Sequence, residues 1–143
     1  MTNDEARAFF TRFLDVWTRE SVSEILEFYT ETARIESPMF HTINGRADIE
    51  KSFKDLFRAF DDWSFRIDDV VADSGPDNRA VLFYTGQQSH RGDLFGMPGT
   101  GRRVEVNGAL LMRLESGRIA SERRLYDFTG LLVKLGVLKA KAV

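Results

Sequence analysis

The main change in the spacing of apolar residues along this chain comes close to Phe60, and this change is the strongest constraint on the fold. Before it, apolar side chains recur at three- and four-residue steps, first within residues 2–29 and again over 46–60. After it, apolar and polar residues tend to alternate. Helices therefore come first and antiparallel strands later, which predicts an α+β fold with the helices packed on one side of a bent sheet.

The same pattern gives a series of elements. Helices are expected in four places: two within residues 2–29, one at 46–60 and a short one at 129–138 that ends at Gly136. Ser21 or Ser23 is predicted to cap the second helix, because a serine oxygen at this position accepts from orphan backbone amides. Strands are expected at 33–37, 63–72, 80–90, 103–114 and 118–127, with a tight hairpin at 115–117.

Composition limits the class of protein and of partner. The chain has 143 residues, 43% apolar and 12% aromatic, so we expect one domain over residues 1–143 with a substantial core. A net charge of −2 provides no positive field for nucleic acid or anionic lipid, and neither is expected as a partner. The chain has no cysteine, which excludes disulfides, thiol nucleophiles and cysteine-bound metals.

The sequence shows neither a recognisable targeting signal nor a convincing metal-binding pattern. The first residues, MTNDEARAFF, are polar and acidic, and no stretch approaches the ~18 apolar residues of a membrane span, so a cytoplasmic protein is expected. His41 and His90 lack supporting carboxylate pairs, so no metal is expected. His90 is interpreted as structural, and His41 either as a hydrogen-bonded structural residue or as a general base.

The strand faces suggest a pocket. On the strand at 103–114, the even-numbered residues from Val104 to Leu114 are predicted to face the core. On the next strand, the row with Ile119 and Leu125 is the better candidate for the inner face, and it carries Arg123 and Asp127 inward with it. Charged groups on an inner face are costly unless they are paired or face a cavity, which favours a pocket over a solid core.

The predicted pocket wall is largely aromatic, because large rings leave an apolar concavity in which a few polar groups orient a ligand. Chosen by helical stripe, strand face or loop position, the expected ligand-binding residues are Phe13, Trp17, Tyr29, Phe40, Phe53, Phe57, Trp63, Met97, Met112 and Leu125. The glycine-rich loop at 90–103 does not match a phosphate-binding loop, since Arg replaces its lysine and a strand follows. We interpret it as turns that fold Leu94, Phe95 and Met97 over the pocket mouth.

Asp127 has two interpretations. As a carboxylate beside apolar residues it is a candidate acid/base, and as a residue before a helix it is a candidate cap that accepts from amides near Thr129 and Gly130. Position and residue type leave these two alternatives open.

Three segments together resemble the SnoaL-like polyketide cyclase family, within the nuclear-transport-factor-2-like group of cone-shaped α+β folds. They are FHTINGRADIEKSFKDLFRAF (40–60), GDLFGMPGTGRRVEVNG (92–108) and RLESGRIASERRLYDFTGLLVKLG (113–136). The most specific elements are the Gly96-x-Pro98-x-Thr100-Gly101-Arg102 loop and the Asp127-x-x-Gly-Leu-Leu ending. The resemblance implies a homodimer whose strongly curved, mainly antiparallel sheet encloses an apolar pocket, and it implies no cofactor.

The resemblance also implies a role for Asp127, which matches the aspartate that serves such cyclases as general acid/base in an intramolecular aldol closure. Two departures bear on this assignment. Arg123 stands where many relatives carry an aromatic residue, and no histidine lies near residues 111–113. Arg123 would stabilise the ionised Asp127, hold a substrate carboxylate or form a structural salt bridge.

Three functions compete at this point. The first is a cyclase or isomerase acting on an apolar small molecule, with Asp127, His41 and Arg123 as candidate catalytic residues. The second is a binding protein or interaction domain without chemistry. The third is an epoxide hydrolase, which needs a second inward carboxylate beside Arg123 and Asp127, for which Glu36 and Asp69 are the candidates.

Overall fold

The computed structural model describes residues 1–139 and 141. The elements are α1 (Asn3–Thr18), α2 (Val22–Leu26), β1 (Tyr29–Ser37), β2 (His41–Asn44), α3 (Arg46–Ala59), β3 (Phe60–Ala72), β4 (Arg79–His90), β5 (Arg103–Glu115), β6 (Arg118–Tyr126) and α4 (Phe128–Leu135). The predicted α+β architecture is confirmed. The sequence prediction missed β2 and began both β1 and β3 too late.

The helix boundaries follow from local hydrogen bonding. Thr2 and Glu5 form a capping box at the start of α1, in which each side chain accepts from the other's backbone amide. Ser21 caps α2 by accepting from the amide of Glu24. The last helix, α4, ends at Gly136 as predicted, where the backbone is left-handed.

Over the described residues, the six strands form one open sheet in the order β2-β1-β6-β5-β4-β3, in which only the β1–β6 pair is parallel. Helix α1 packs against β3, and α3 packs against β1 and β2. The helices thereby cover one face of the sheet, and the large side chains fully buried there include Phe10, Phe13, Ile25, Ile49, Phe53 and Phe60. Among the described residues, no helix is both long and apolar enough to cross a membrane.

The inner row of β6 differs from the prediction. Ile119 lies opposite Leu114 and Ser121 lies opposite Arg113, so Ala120 is an extra residue in the ladder. This bulge shifts the alternation by one residue. Glu122 and Arg124, opposite Met112 and Leu110, therefore face the core together with the predicted even row of β5.

The assignment of Arg123 and Leu125 to the inner face is wrong for this reason. Leu125 is 57% exposed on the opposite face of the sheet. There it lies in one cross-strand row with Ala109 and Phe83, and Phe83 is 45% exposed. The outer face of strands β3 to β6 thus presents an apolar patch, which consists of Val71, Val81, Phe83, Ala109, Leu111 and Leu125.

The loop between β4 and β5 folds back on the end of α3. The amides of Arg91 and Gly92 both donate to the carbonyl of Ala59, and a β-carbon on Gly99 would overlap the carbonyl of Arg91. This close approach requires glycine at position 99. At the loop tip Leu94 is buried, whereas Phe95 is exposed and its ring meets Phe40 edge-on.

Candidate functional site

A cavity lies between the helices and the inner face of the sheet. About 60 Å³ of it is open to the centres of water molecules, enough for several waters or part of a small organic ligand. Most of the wall is apolar, and Trp17, Tyr84, Gln88, Arg124 and Tyr126 bring polar side-chain groups to it. The other lining residues are Leu14, Met39, Phe40, Leu56, Phe60, Trp63, Phe65, Val106, Leu110 and Leu131.

A buried ion pair stands behind the cavity wall. The Nε of Arg124 donates to Oε2 of Glu122, and the Tyr29 hydroxyl donates to Oε1 of the same carboxylate at 2.7 Å. Arg124 is 6% and Glu122 2% exposed. Because each oxygen of Glu122 accepts a hydrogen bond, the carboxylate is held in place and fixes the orientation of the guanidinium.

Two aromatic rings complete the environment of Arg124. Its guanidinium carbon lies 5.2 Å from the ring centroids of both Trp17 and Phe53. Burial opposes the charge of Arg124, but the adjacent Glu122 carboxylate outweighs it, so the pKa of Arg124 is raised and the side chain stays protonated. Nη2 of Arg124 and Nε1 of Trp17 are buried and have no hydrogen-bond partner among the described residues.

Tyr84 and Tyr126 bring neutral hydroxyl groups to the cavity wall. Burial raises the pKa of Tyr126 to about 12 and also raises the pKa of Tyr84. Room for Tyr84 depends on Gly108 of the neighbouring strand, since a β-carbon there would lie 2.5 Å from the Tyr84 hydroxyl oxygen. Together with Arg124, Trp17 and Gln88, these residues give the cavity five side chains that can donate hydrogen bonds.

The sequence of this chain is similar to those of known proteins. The profile of the SnoaL-like polyketide cyclase family matches residues 8–135. The chain belongs to this family. Nogalonic acid methyl ester cyclase of Streptomyces nogalater is 39% identical over 72 residues, which are 50% of this chain and 52% of that protein. The match therefore spans about half the length of this curated relative.

Solved structures show the same SnoaL-like fold. AclR from Streptomyces galilaeus has a TM-score of 0.80 at 24% identity, with 97% of this chain and 89% of that chain covered. TsrD from Streptomyces laurentii has a TM-score of 0.79 at 22% identity, with 96% and 99% covered. A protein with a ketosteroid isomerase-like fold from Catenulispora acidiphila has a TM-score of 0.74 at 15% identity, with 91% and 93% covered.

The predicted catalytic residues of this SnoaL-like chain lie apart. Asp127 is exposed and caps α4, with its Oδ1 accepting from the amide of Gly130 at 2.8 Å. Arg123 is on the outer face, where its Nε donates a hydrogen bond to Oε2 of Glu36 at 3.0 Å. His41 is exposed at the start of β2 with a positive φ of 60°. None of the three lines the cavity.

The predicted ligand-binding residues divide into three groups. Trp17, Phe40 and Trp63 lie on the cavity wall. Six others are core or half-buried residues outside the lining set: Phe13, Tyr29, Phe53, Phe57, Met97 and Met112. The tenth, Leu125, lies on the opposite face of the sheet because of the bulge at Ala120.

The second histidine is a buried structural element of the β4–β5 loop. Its ring nitrogen Nδ1 accepts from the amide of Thr100 at 3.3 Å, which leaves the proton of the neutral ring on Nε2. Burial lowers the pKa of His90, and its ring packs on Phe60. Within the described part of the chain, no three histidine, aspartate or glutamate side chains cluster closely enough to hold a metal ion.

Sequence reasoning missed most polar groups of the site, namely Glu122, Arg124, Tyr84, Gln88 and Tyr126. The signal that could have revealed the first two is the pair of consecutive apolar residues Ile119 and Ala120, both of which are buried. Two adjacent inward residues on a strand are what a bulge produces. From that pair onward, a shift of one residue brings Glu122 and Arg124 inward.

Proposed function

We propose that this chain is a cyclase-type enzyme that closes a ring in, or isomerises, a small carbonyl compound bound in the cavity. The observation that carries the proposal is the cavity itself, an apolar enclosure with hydrogen-bond donors at its wall. Membership of the SnoaL-like polyketide cyclase family supports it, as does the local similarity to nogalonic acid methyl ester cyclase. An apolar wall selects the carbon skeleton, and the donors orient its oxygens.

The proposed chemistry is an intramolecular aldol addition with Asp127 as acid/base. A base takes a proton from a carbon between two carbonyls, and the resulting enolate carbon forms a bond to another carbonyl carbon of the same molecule. That C=O π bond becomes an alkoxide, which receives the proton back, so substrate and product have equal mass. Asp127 is the candidate because it matches the aspartate that has this role in SnoaL-like cyclases, and it directly follows Tyr126, which lines the cavity.

Turnover of a panel tests this proposal. Polyketide β-keto esters, including nogalonic acid methyl ester, together with conjugated enones and epoxides are incubated with enzyme and separated by liquid chromatography before mass spectrometry. We expect at least one β-keto ester to give a product of equal mass and different retention time. Asp127→Asn should slow this conversion about 100-fold or more, the range of general acid/base contributions.

Two features of the chain make this comparison clean. Asparagine caps a helix about as well as aspartate, so Asp127→Asn keeps the cap of α4. Asp93→Asn is the matched control, because Asp93 is also exposed and also accepts from a backbone amide, that of Gly96 at 2.9 Å. Wild-type turnover in Asp127→Asn would remove Asp127 from the chemistry.

A binding protein without turnover is the second candidate. It is favoured by the exposure of Asp127 and by its hydrogen bond to Gly130, which together account for the residue as a helix cap. Retention of a panel compound without conversion would support this candidate. The epoxide hydrolase alternative has less support, because Arg123 pairs with Glu36 at the surface and Asp69 is also exposed.

We also propose that the protein is a homodimer formed through the outer face of the sheet. The outer apolar patch supports this arrangement, because exposed apolar side chains in contiguous rows mark interaction surfaces. A second copy of the same face is the occupant that a two-fold axis allows.

A further inference from the structure

We infer that Arg124 and Trp17 form an anion-binding subsite inside the cavity, which takes an ionised oxygen of a small aromatic acid or of an enolate. Both residues line the cavity, and each has one buried N–H group without a partner among the described residues. A buried donor that stays unpaired destabilises a fold, so such groups are normally satisfied by a ligand or an ordered water. A ligand oxygen that reaches Nη2 of Arg124 or Nε1 of Trp17 would satisfy that group.

The guanidinium is held in place before any ligand arrives. Its Nε is bound to Glu122, whose other oxygen accepts from Tyr29, and the rings of Trp17 and Phe53 lie against it. This support leaves little freedom for the side chain to turn away. Donors fixed in a low-dielectric site stabilise negative charge more strongly than the same donors in water.

The chemistry of the wall favours an anion over a neutral ligand. Among the described residues that line the cavity, none carries a carboxylate, and the only charged one is Arg124. Tyr84 and Tyr126 add neutral hydroxyl groups, and Gln88 adds a neutral amide, all of which can donate. An oxygen with several lone pairs and no proton of its own matches such a set of donors.

This inference rests on the proposed function only in locating the ligand in the cavity, and a binding assay tests it without turnover. The chain has two tryptophans, Trp17 and Trp63, and both line the cavity, so intrinsic fluorescence reports on its occupancy. Benzoate is titrated as the anion and benzamide as the neutral molecule of nearly equal shape. We expect saturable benzoate binding about tenfold tighter than benzamide binding.

Two neighbouring arginines supply the matched variants. Arg124→Lys keeps the charge next to Glu122 but removes the fork that leaves a second nitrogen free, and it should abolish the preference for benzoate. Arg123→Lys makes the same change one residue away, on the surface pair with Glu36, and should leave the preference unchanged. Trp17→Phe removes one donor and should weaken benzoate binding a few-fold, with Trp63 as the remaining reporter.

The outcomes separate cleanly. Equal affinity for benzoate and benzamide, or an unaltered preference in Arg124→Lys, would overturn the subsite. If Arg124→Lys lacks a cooperative unfolding transition, the double variant Glu122→Gln/Arg124→Gln removes both charges together and must lose the preference. Benzoate selectivity without turnover of any panel compound would reject the proposed enzyme and keep the subsite, whereas turnover without selectivity would do the reverse.

Discussion

Two adjacent arginines on β6 show how far the surroundings of a side chain decide its chemistry. Arg123 lies in solvent beside Glu36, and an exposed pair of this kind contributes little to stability. Arg124 has the same side chain but is buried against Glu122, Trp17 and Phe53. Removing the charge of either partner leaves an uncompensated charge in the core, so a substitution that neutralises Glu122 or Arg124 alone should be far more destabilising than one that neutralises both.

The tyrosines give a prediction about alkaline pH. Burial raises the pKa of Tyr29 and Tyr84, and that of Tyr126 to about 12, above the usual 10.0. Groups with a raised pKa bind protons more tightly in the folded than in the unfolded state. Their contribution to the free energy of unfolding is therefore complete below pH 10 and is lost as pH rises toward 12. These are all three tyrosines of the chain. We therefore expect tyrosinate absorbance near 295 nm to appear together with unfolding rather than before it.

The control for this titration is the unfolded chain. In concentrated urea the same absorbance should rise with a midpoint near the usual pKa of 10.0, without cooperativity. A folded protein whose circular dichroism is intact while tyrosinate has already formed at pH 10 would contradict the buried environment of these hydroxyl groups.

At the scale of single elements, the start of α1 gives a stability prediction. Thr2→Ala removes the side-chain oxygen that accepts from Glu5 and should lower the free energy of unfolding by about 1 kcal/mol. Thr11→Ala is the matched control, because Thr11 lies within the same helix and its hydroxyl only donates back to Arg7. Urea denaturation measures both, and an equal loss in the two variants would show that the capping box is not what stabilises this end.

Most elements could be predicted from the sequence because their signals are local. Apolar periodicity located α1 and α3, and alternation located β4 and β5. The strand β2 was missed because HTIN is only four residues long and has a single buried side chain, Ile43, which is too little for any period to register.

The site was harder to predict, because its key row depends on a pairing rather than on a pattern. A regular ladder continued from Ile119 brings Arg123 inward, whereas the extra residue Ala120 brings Arg124 inward instead. Which of two registers forms depends on what each one buries against β5 and the helices. The hydrogen bond from Tyr29 to Glu122 joins residues 93 positions apart, and no local sequence pattern predicts it.

At the scale of the whole molecule, the proposed dimer gives a prediction. Leu125→Arg puts a charge into the outer apolar patch and should convert the protein to a monomer, because an unpaired charge in a buried interface is costly. Val133→Arg on α4 is the control, since Val133 is also exposed but lies outside the patch. Sedimentation velocity measures the mass of each, and a wild-type protein that sediments as a monomer would exclude the dimer.

The close approach at Gly99 sets a rule for anyone who wishes to alter ligand preference by directed evolution. A library that randomises the whole β4–β5 loop spends most of its members on sequences with a side chain at position 99, where the carbonyl of Arg91 leaves no room. Holding constant that codon and the codon of Gly96, whose φ is +84°, while varying the rest of the tip from Leu94 to Met97 keeps the loop anchored. Diversity then falls on the residues beside Phe40, where the loop borders the cavity wall.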